Sequence, residues 1–200
     1  MLKFLIFSLF SFQLFINGCA TNKVKNSDIL KSEVNDKYIP LLEKYSDKVQ
    51  IYSGLENVLE VHGTLLSSPV LESQLELNQA SYQWNPEVLK TELTKTHENS
   101  SKYTEVFISL FTPEKIHDDL NKNKTLWKIF LDVNGKRYEG KATKVKLLTA
   151  EIQNTYPYHN KWLTPYVISF PVPTKEIDNQ TAKLTLTGPI GSAQLSFPNK

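Results

Sequence analysis

A change in sequence periodicity after residue 102 constrains the fold more than any other feature of this chain. Over residues 103–111, apolar side chains occupy both alternating sets of positions. This pattern predicts a strand that is buried on both faces, as at the centre of a sheet. Six of the ten prolines lie from Pro157 onward, where strand ends and sheet edges tolerate them.

Other segments show the alternation that is typical of half-buried strands. They cover residues 49–52, 55–66, 126–133, 136–148, 166–172, 182–187 and 193–197. Asn134-Gly135 supplies the two positive-φ positions of a tight hairpin between two of these segments. Because these short strands come without repeating βαβ units, the sequence favours a mainly β fold, an antiparallel β-sandwich.

A helical pair is predicted as an insert into the sandwich at about residues 69–96. Ser68-Pro69 and Asn85-Pro86 each indicate a helix start, because Ser and Asn cap the N-terminus and Pro fits the first turn. The predicted segments are helices at 69–83, 86–96 and 38–47, a polar loop at 97–102 and a helical turn at 113–120.

The N-terminus combines a short basic start with an apolar run. Lys3 precedes the 13-residue run from Phe4 to Ile16. This run is shorter than the ~20 residues that span a bilayer, and it is typical of a secretory signal peptide. Cys19 follows as the one cysteine of the chain, which excludes an intramolecular disulfide.

The segment Ile16-Asn17-Gly18-Cys19 resembles the lipobox of bacterial lipoproteins. The resemblance implies that residues 1–18 are a signal peptide, that cleavage makes Cys19 the first mature residue, and that Cys19 carries acyl chains. Two or three acyl chains anchor a protein stably, whereas one chain binds marginally. In Gram-negative lipoproteins, the absence of Asp after the cysteine favours the outer membrane. The alternative is an ordinary secretion signal in which Cys19 has no role.

Residues 19–36 have the composition of a linker, rich in Lys, Asn, Ser and Asp. We predict a lipidated flexible tether there, followed by a single β-sandwich domain over residues 37–200. As a coil, the tether would span roughly 20–25 Å and hold the domain clear of the lipid headgroups.

The charge composition argues against nucleic-acid binding. Lys and Arg number 23 against 21 Asp and Glu, and Arg137 is the only arginine. Bidentate recognition of phosphates and guanines relies on the planar arginine fork, and a net charge of +2 gives little attraction for a polyanion. The predicted partner is a membrane, through the lipid on Cys19, with an envelope protein or a glycan as a possible second partner.

Five short motifs are spread over residues 50–198. They are Gly54-Leu55, Gly63-Thr64, Trp127 with Leu131, the run YVISFP at 166–171, and Gly188-Pro189. Together they resemble those of uncharacterised bacterial lipoproteins with a single immunoglobulin-like domain. The resemblance implies an immunoglobulin-like β-sandwich and assigns no catalytic residues.

The histidines give little support to a catalytic or metal site. His62, His97, His117 and His159 lie in different segments without HxH or HExxH spacing, so no metal or other cofactor is predicted. His62 is a candidate general base on the polar face of a strand. A surface position is favoured instead, because no GxSxG-type motif accompanies it.

A second candidate is the cluster formed by Glu114, His117, Asp118 and Asp119. Spacing of i and i+3 can place a carboxylate and an imidazole on one helical face. The favoured interpretation is a solvated first turn whose acids lie near its positive end.

The aromatic segment 155–166 (TYPYHNKWLTPY) is the strongest candidate for a ligand platform. Flat rings beside polar groups give contact area for sugars and peptides at low entropic cost. The candidate residues are Tyr156, Tyr158, His159, Trp162 and Tyr166. The favoured alternative is a long connection that its own aromatic side chains pin onto the sandwich.

From these observations we expect a membrane-anchored envelope lipoprotein that is not an enzyme and that serves as an interaction or structural module. The alternative from another class is an envelope carbohydrate- or peptidoglycan-binding or hydrolytic protein that uses the loop 155–166. A third is a lipoprotein subunit of a larger envelope complex, which would expose a sheet edge or an apolar patch.

Overall fold

The computed structural model of the protein describes the backbone of residues 26–198 and the side chains of residues 33–198. Within this range the chain forms nine strands and five helices. The strands are β1 (Ser46–Ser53), β2 (Glu56–Leu65), β3 (Thr104–Phe111), β4 (Lys128–Val133), β5 (Lys136–Glu139), β6 (Lys141–Lys144), β7 (Thr164–Phe170), β8 (Ala182–Gly188) and β9 (Gly191–Phe197). The helices are α1 (Asn26–Lys44), α2 (Ser68–Tyr82), α3 (Pro86–Ser100), α4 (Thr149–Thr155) and α5 (Thr174–Ile177), with a 3-10 turn at Lys115–His117.

The strands form two antiparallel sheets. One has the order β1-β2-β3-β7-β6 and the other has the order β5-β4-β8-β9. The predicted mainly β class and the predicted two-sheet antiparallel architecture are therefore confirmed. The strand predicted over 103–111 is β3, which lies at the centre of the first sheet and is buried on both faces.

The two sheets face each other across one apolar core. Ile108, Leu131 and Leu184 are fully buried members of that core. Gly63 of β2 approaches β9 so closely that a Cβ on it would stand 2.8 Å from Leu195 Cδ1. Burial of such side chains, at about 25 cal/mol per Å² of apolar surface, is what stabilises the sandwich.

A layer of helices and loops covers the outer face of the five-stranded sheet. The Phe107 ring of β3 stacks on Tyr156, with 3.6 Å between ring centroids and 2° between the planes. The Tyr38 hydroxyl of α1 donates a 2.9 Å hydrogen bond to the backbone carbonyl of Thr155. The sheet is therefore buried on both sides, which explains the apolar residues on both faces of β3.

The predicted hairpin is confirmed, but the strand that follows it is divided. Asn134 and Gly135 have φ angles of 51° and 74°. The segment 136–148, predicted as one strand, forms β5 paired with β4 and then β6 paired with β7 in the other sheet. The chain crosses between the sheets at Gly140. A Cβ there would lie 2.5 Å from Phe170 Cε1 and 2.6 Å from Ile168 Cγ2, so only glycine fits.

The predicted helical pair is also confirmed, with a later end. Asn85 caps α3 as predicted, since its Oδ1 accepts a 2.9 Å hydrogen bond from the Val88 N–H. The loop predicted at 97–102 begins only after Ser100. The helix continues because no Gly or Pro interrupts the chain between Pro86 and Ser101.

The first helix is longer than the sequence prediction. Residues 26–36, predicted as flexible tether, lie in α1 instead. The sequence predicts a helix only over residues 38–47. Apolar side chains recur at helical spacing across the predicted boundary, at Val34, Tyr38, Leu42 and Tyr45. Tyr38, Leu42 and Tyr45 are buried and Val34 packs against the core. Residues 19–25 of the predicted tether lie outside the described residues.

We expect Gly140→Ala to lower the free energy of unfolding by about 1–3 kcal/mol, because the added methyl overlaps the Phe170 and Ile168 side chains. Urea unfolding followed by circular dichroism measures this change. Lys141→Ala, at the exposed neighbouring position, is the control and should change stability by less than ~0.5 kcal/mol. Equal stability of the two variants would contradict the steric role of Gly140.

Candidate functional site

The structure distributes the five aromatic-segment candidates among different surroundings. Tyr156, His159 and Tyr166 are buried, Tyr158 is half-buried and Trp162 is 69 % exposed. Tyr156 stacks on Phe107 of β3, and Tyr166 lies inside the sandwich. The five side chains therefore do not form one exposed surface. Only Tyr158 and Trp162 present ring area to solvent.

His159 forms a buried pair with a serine that the sequence does not single out. Ser109 Oγ and His159 Nδ1 lie 2.8 Å apart, and the two residues are 0 % and 2 % exposed. Burial also lowers the pKa of the imidazole. A serine nucleophile needs a histidine base at this distance, but it also needs a substrate within reach. Because Ser109 is closed from solvent, the pair serves here to hold the loop onto β3.

Asp118 organises the second predicted cluster. Its carboxylate, with a side chain only 8 % exposed, accepts hydrogen bonds from the Thr164 hydroxyl at 2.8 Å and the Tyr166 hydroxyl at 2.9 Å. Lys144 Nζ lies 3.5 Å from the same carboxylate. This carboxylate raises the pKa of Tyr166, as burial does to a greater extent. Asp118 therefore ties the β3–β4 connection to β7 rather than facing solvent in a helical turn.

A groove of about 420 Å³ lies between α1, the start of β1 and the loop at Pro157-Tyr158. Its volume falls within the range of small-ligand sites. Apolar and polar side chains share the lining, which consists of Ile39, Leu42, Glu43, Ser46, Asp47, Lys48, His62, Pro157 and Tyr158. The groove combines an apolar wall with charges of both signs at its rim.

Hydrogen bonds make one wall of the groove rigid. Thr64 Oγ1 lies 2.6 Å from Ser46 Oγ and 2.7 Å from the Tyr158 hydroxyl, so three side chains form one chain of hydrogen bonds. The Tyr158 ring also stacks on His62, with centroids 3.7 Å apart and planes 24° apart. Burial raises the pKa of the Tyr158 hydroxyl, which stays protonated and keeps this arrangement.

The imidazole of His62 is held neutral. Burial, and to a lesser extent the nearby Lys48 ammonium, lowers its pKa to about 4, against the opposing effect of Glu60 and Asp47. Lys48 itself pairs with Glu60 at 2.8 Å. At neutral pH the groove therefore offers an uncharged aromatic wall together with the Lys48 ammonium group and the carboxylates of Glu43 and Asp47.

Sequence analysis identified only some of the residues that line this groove. His62 and Tyr158 were singled out, whereas Ile39 and Lys48 were not. The signal that bears on Ile39 is the helical spacing from Val34 to Tyr45, which predicts that α1 has a buried stripe, whereas Lys48 lies on β1 outside that helix. Where that stripe packs depends on tertiary structure, which periodicity does not specify.

The described residues also bear on the metal and membrane predictions. Among the side chains of residues 33–198, no group of three or more His, Cys, Asp or Glu residues is arranged to hold a metal ion. Within residues 26–198, no helix is both long enough and apolar enough to cross a bilayer. Cys19 lies outside the described residues. Comparison of the chain with protein-family models, curated proteins and solved structures found no match.

We expect protein stability to fall as the pH drops from about 6.5 to 4, because the unfolded chain binds a proton on His62 in this window and the folded chain does not. The ring is partly solvated, so the expected contribution is about 1–2 kcal/mol. NMR titration of the His62 ring and urea unfolding at several pH values measure the two effects.

His62→Phe is the matched control, since it keeps a ring against Tyr158 without a titrating group. This variant should lose the His62 share of the pH dependence and keep the share of His159, whose pKa is also lowered. A His62 ring that titrates near 6.5 would contradict its burial against Tyr158.

Proposed function

We propose that this protein is a lipid-anchored envelope lipoprotein whose body serves as a non-enzymatic interaction or structural module, with the α1 groove as its binding site. The anchor rests on the segment Ile16-Asn17-Gly18-Cys19, which follows a signal-peptide-like run. Six residues, 20–25, separate Cys19 from Asn26, where α1 begins, and a chain of this length spans at most about 25 Å. Ile39, the first groove residue on α1, lies about 20 Å further along the helix, so the groove lies within roughly 45 Å of the anchor.

The groove is the observation that carries the binding role. Its volume suits a small ligand or one or two residues of a peptide, and its apolar wall at Ile39 and Leu42 favours an apolar group. Charges of both signs at its rim, from Lys48, Glu43 and Asp47, favour an occupant with polar ends. An extended segment of an envelope protein has both properties.

We also propose the immunoglobulin-like assignment for the sandwich. If β2 to β9 are taken as strands A, B, C, C′, D, E, F and G, the first sheet becomes A-B-E-D with β1 added beside A. The second sheet becomes C′-C-F-G. These orders are those of immunoglobulin domains with a C′ strand. The buried Trp127, directly before β4, also lies near the position of the strand C tryptophan, and Cys19 leaves no pair for the interstrand disulfide.

The proposed location is the outer membrane rather than the inner if the cell is Gram-negative, because Ala20 rather than Asp follows Cys19. A second candidate function is glycan or peptidoglycan binding through the aromatic loop. The observation that favours it is that Pro157 and Tyr158 of this loop line the groove and that Trp162 is exposed beside it in sequence. Both functions share one site, so one set of variants tests them.

We expect Cys19→Ser to abolish lipid labelling and to release the protein from the membrane fraction, because no acyl chain can then be attached at this position. Metabolic labelling with an alkyne fatty acid and fractionation of the cells measure the two effects. Thr21→Ser is the control and should keep both properties. Unchanged membrane retention and labelling of Cys19→Ser would refute the anchor.

We expect a photo-crosslinking residue in place of Lys48 to capture a discrete envelope protein or glycan in intact cells, because Lys48 lies at the rim of the groove. The same residue in place of Lys90, exposed on α3, is the control. Ile39→Lys, which fills the groove with a charged side chain, should abolish the product at position 48 without unfolding the protein. Crosslinks that are equal at both positions and insensitive to Ile39→Lys would refute the groove as the binding site.

A further inference from the structure

Exposed apolar side chains concentrate at one end of the sandwich. Ten large hydrophobic side chains are exposed within residues 33–198, and seven of them lie at this end. The seven are Tyr52, Leu55, Ile116, Leu126, Leu147, Leu148 and Trp162. We call this region, residues 52–55, 112–127, 144–148 and 160–163, the loop end.

Strand pairing places the segments of the loop end together. Near the end of β3, Phe111 pairs with Glu60 of β2, so the β1–β2 turn lies beyond it on the same side. Leu110 pairs with Thr164, where β7 begins. Lys144, where β6 ends, pairs with Tyr166. The turns and connections that carry the seven side chains therefore leave the sheets in one direction.

Asp118 joins the central part of the loop end. It accepts hydrogen bonds from Thr164 and Tyr166 and pairs with Lys144, so the β3–β4 connection is held against β6 and β7. Backbone pairing with β7 also continues beyond the end of β6, since the Val145 N–H donates a 3.0 Å hydrogen bond to the Pro165 carbonyl. Ile116, Leu147 and Trp162 each lie within three residues of these contacts.

These side chains are solvated rather than partly packed. Ile116 and Trp162 are 69 % exposed, Leu147 is 60 % exposed and Leu148 is 72 % exposed. At the other end of the sandwich, the exposed large hydrophobic side chain is Tyr103, at 42 %. Leaving so much apolar surface in water at one end is unfavourable unless another apolar phase covers it.

Lysines surround this apolar surface. Six exposed lysines lie in the same segments: Lys115, Lys122, Lys124, Lys144, Lys146 and Lys161. The carboxylates within these segments are Glu114, Asp118 and Asp119, which leaves a local charge of +3, and Glu56 and Glu151 flank them. Asp118 is turned inward, and Glu151 accepts a 2.9 Å hydrogen bond from the Leu148 N–H. The surface that faces outward is therefore apolar at its tips and basic around them.

We propose that the loop end is a lipid-binding surface that inserts Trp162, Leu147 and Leu148 into the interfacial region of a membrane with anionic headgroups. Trp favours the boundary between headgroups and acyl chains, and lysines extend their ammonium groups to the headgroup phosphates. Anionic lipid adds about 1 kcal/mol of attraction for each lysine near the surface. The inference rests on the proposed function for the lipid anchor, which would keep the loop end close to the bilayer.

A lipid surface fits this arrangement better than a folded partner. The apolar side chains stand on separate connections, as suits insertion between lipid headgroups, whereas protein interfaces have an apolar centre depleted in lysine. A second copy of this chain would also bring together two surfaces that are both positively charged.

The depth of Trp162 in a bilayer tests this proposal. The full-length protein is purified from membranes with its lipid and reconstituted into phosphatidylcholine vesicles with and without phosphatidylglycerol. Brominated lipids quench tryptophan within the bilayer, and iodide quenches tryptophan in water. Subtracting the signal of Trp162→Phe isolates Trp162 from Trp84 and Trp127. We expect bromine quenching of Trp162, a shift of its emission to shorter wavelength and protection from iodide, all stronger with phosphatidylglycerol.

Leu147→Ser combined with Leu148→Ser should lower the bromine quenching of Trp162 by about half or more. Ser at position 148 still suits the start of α4, so the fold is retained, as thermal unfolding will check. Tyr82→Ser with Val88→Ser, at exposed apolar positions of the helical layer, is the matched control and should leave the quenching unchanged. Lys146→Glu with Lys161→Glu should remove the added effect of phosphatidylglycerol.

The outcomes separate this inference from the proposed anchor. Flotation with vesicles while Trp162 stays open to iodide would overturn the lipid-binding surface and leave the anchor intact. Failure to float with phosphatidylcholine vesicles, together with salt-sensitive bromine quenching of Trp162 on vesicles that contain phosphatidylglycerol, would refute the anchor and leave the lipid-binding surface intact. Protection of Trp162 from iodide with rising protein concentration and no lipid would overturn the inference in favour of self-association.

Discussion

The packing of residues 156–159 onto the outer face of the five-stranded sheet is the interaction on which most of the structure depends. Tyr156 stacks on Phe107, Tyr158 stacks on His62 and bonds to Thr64, and His159 bonds to Ser109. Each contact joins the loop to β2 or β3. Without this cover, the outer face of β3 would expose apolar side chains and buried hydroxyl groups would lose their partners, at a cost of about 1–3 kcal/mol for each group. The same contacts shape one wall of the α1 groove.

Much of the fold follows from local sequence patterns, because those patterns are set by local physics. The alternation at residues 103–111 identified a strand buried on both faces, and Asn134-Gly135 identified a hairpin, since both depend on residues that are close in the chain. Ser and Asn before proline located the helical pair for the same reason. The division of 136–148 between two sheets was missed, because it depends on the side chains of Phe170 and Ile168, which are distant in sequence.

The sites were harder to predict than the elements, because burial decides what an aromatic or acidic side chain can do. The composition of residues 155–166 suggests a surface for ligands, yet Tyr166 points into the core and Tyr156 lies under the helical layer. Asp118, read from sequence as part of a solvated turn, is instead an acceptor for two hydroxyl groups from β7. The packing of α1 brings Ile39 to the wall of the groove, whereas Lys48 meets His62 through the pairing of β1 with β2. A single sequence contains the residues of such a groove, but it does not show that they lie together in the folded protein.

The crossing at Gly140 has a consequence for how the domain loses its structure. β5 and β6 are consecutive in the chain but belong to opposite sheets, so neither sheet can separate without pulling a strand from the other. Asp47 makes a second such link, since its carboxylate bonds to the Ser196 N–H and joins the edges of the two sheets. Local opening of one sheet is therefore coupled to the other, and the sandwich should behave as one cooperative unit rather than as two layers that open independently.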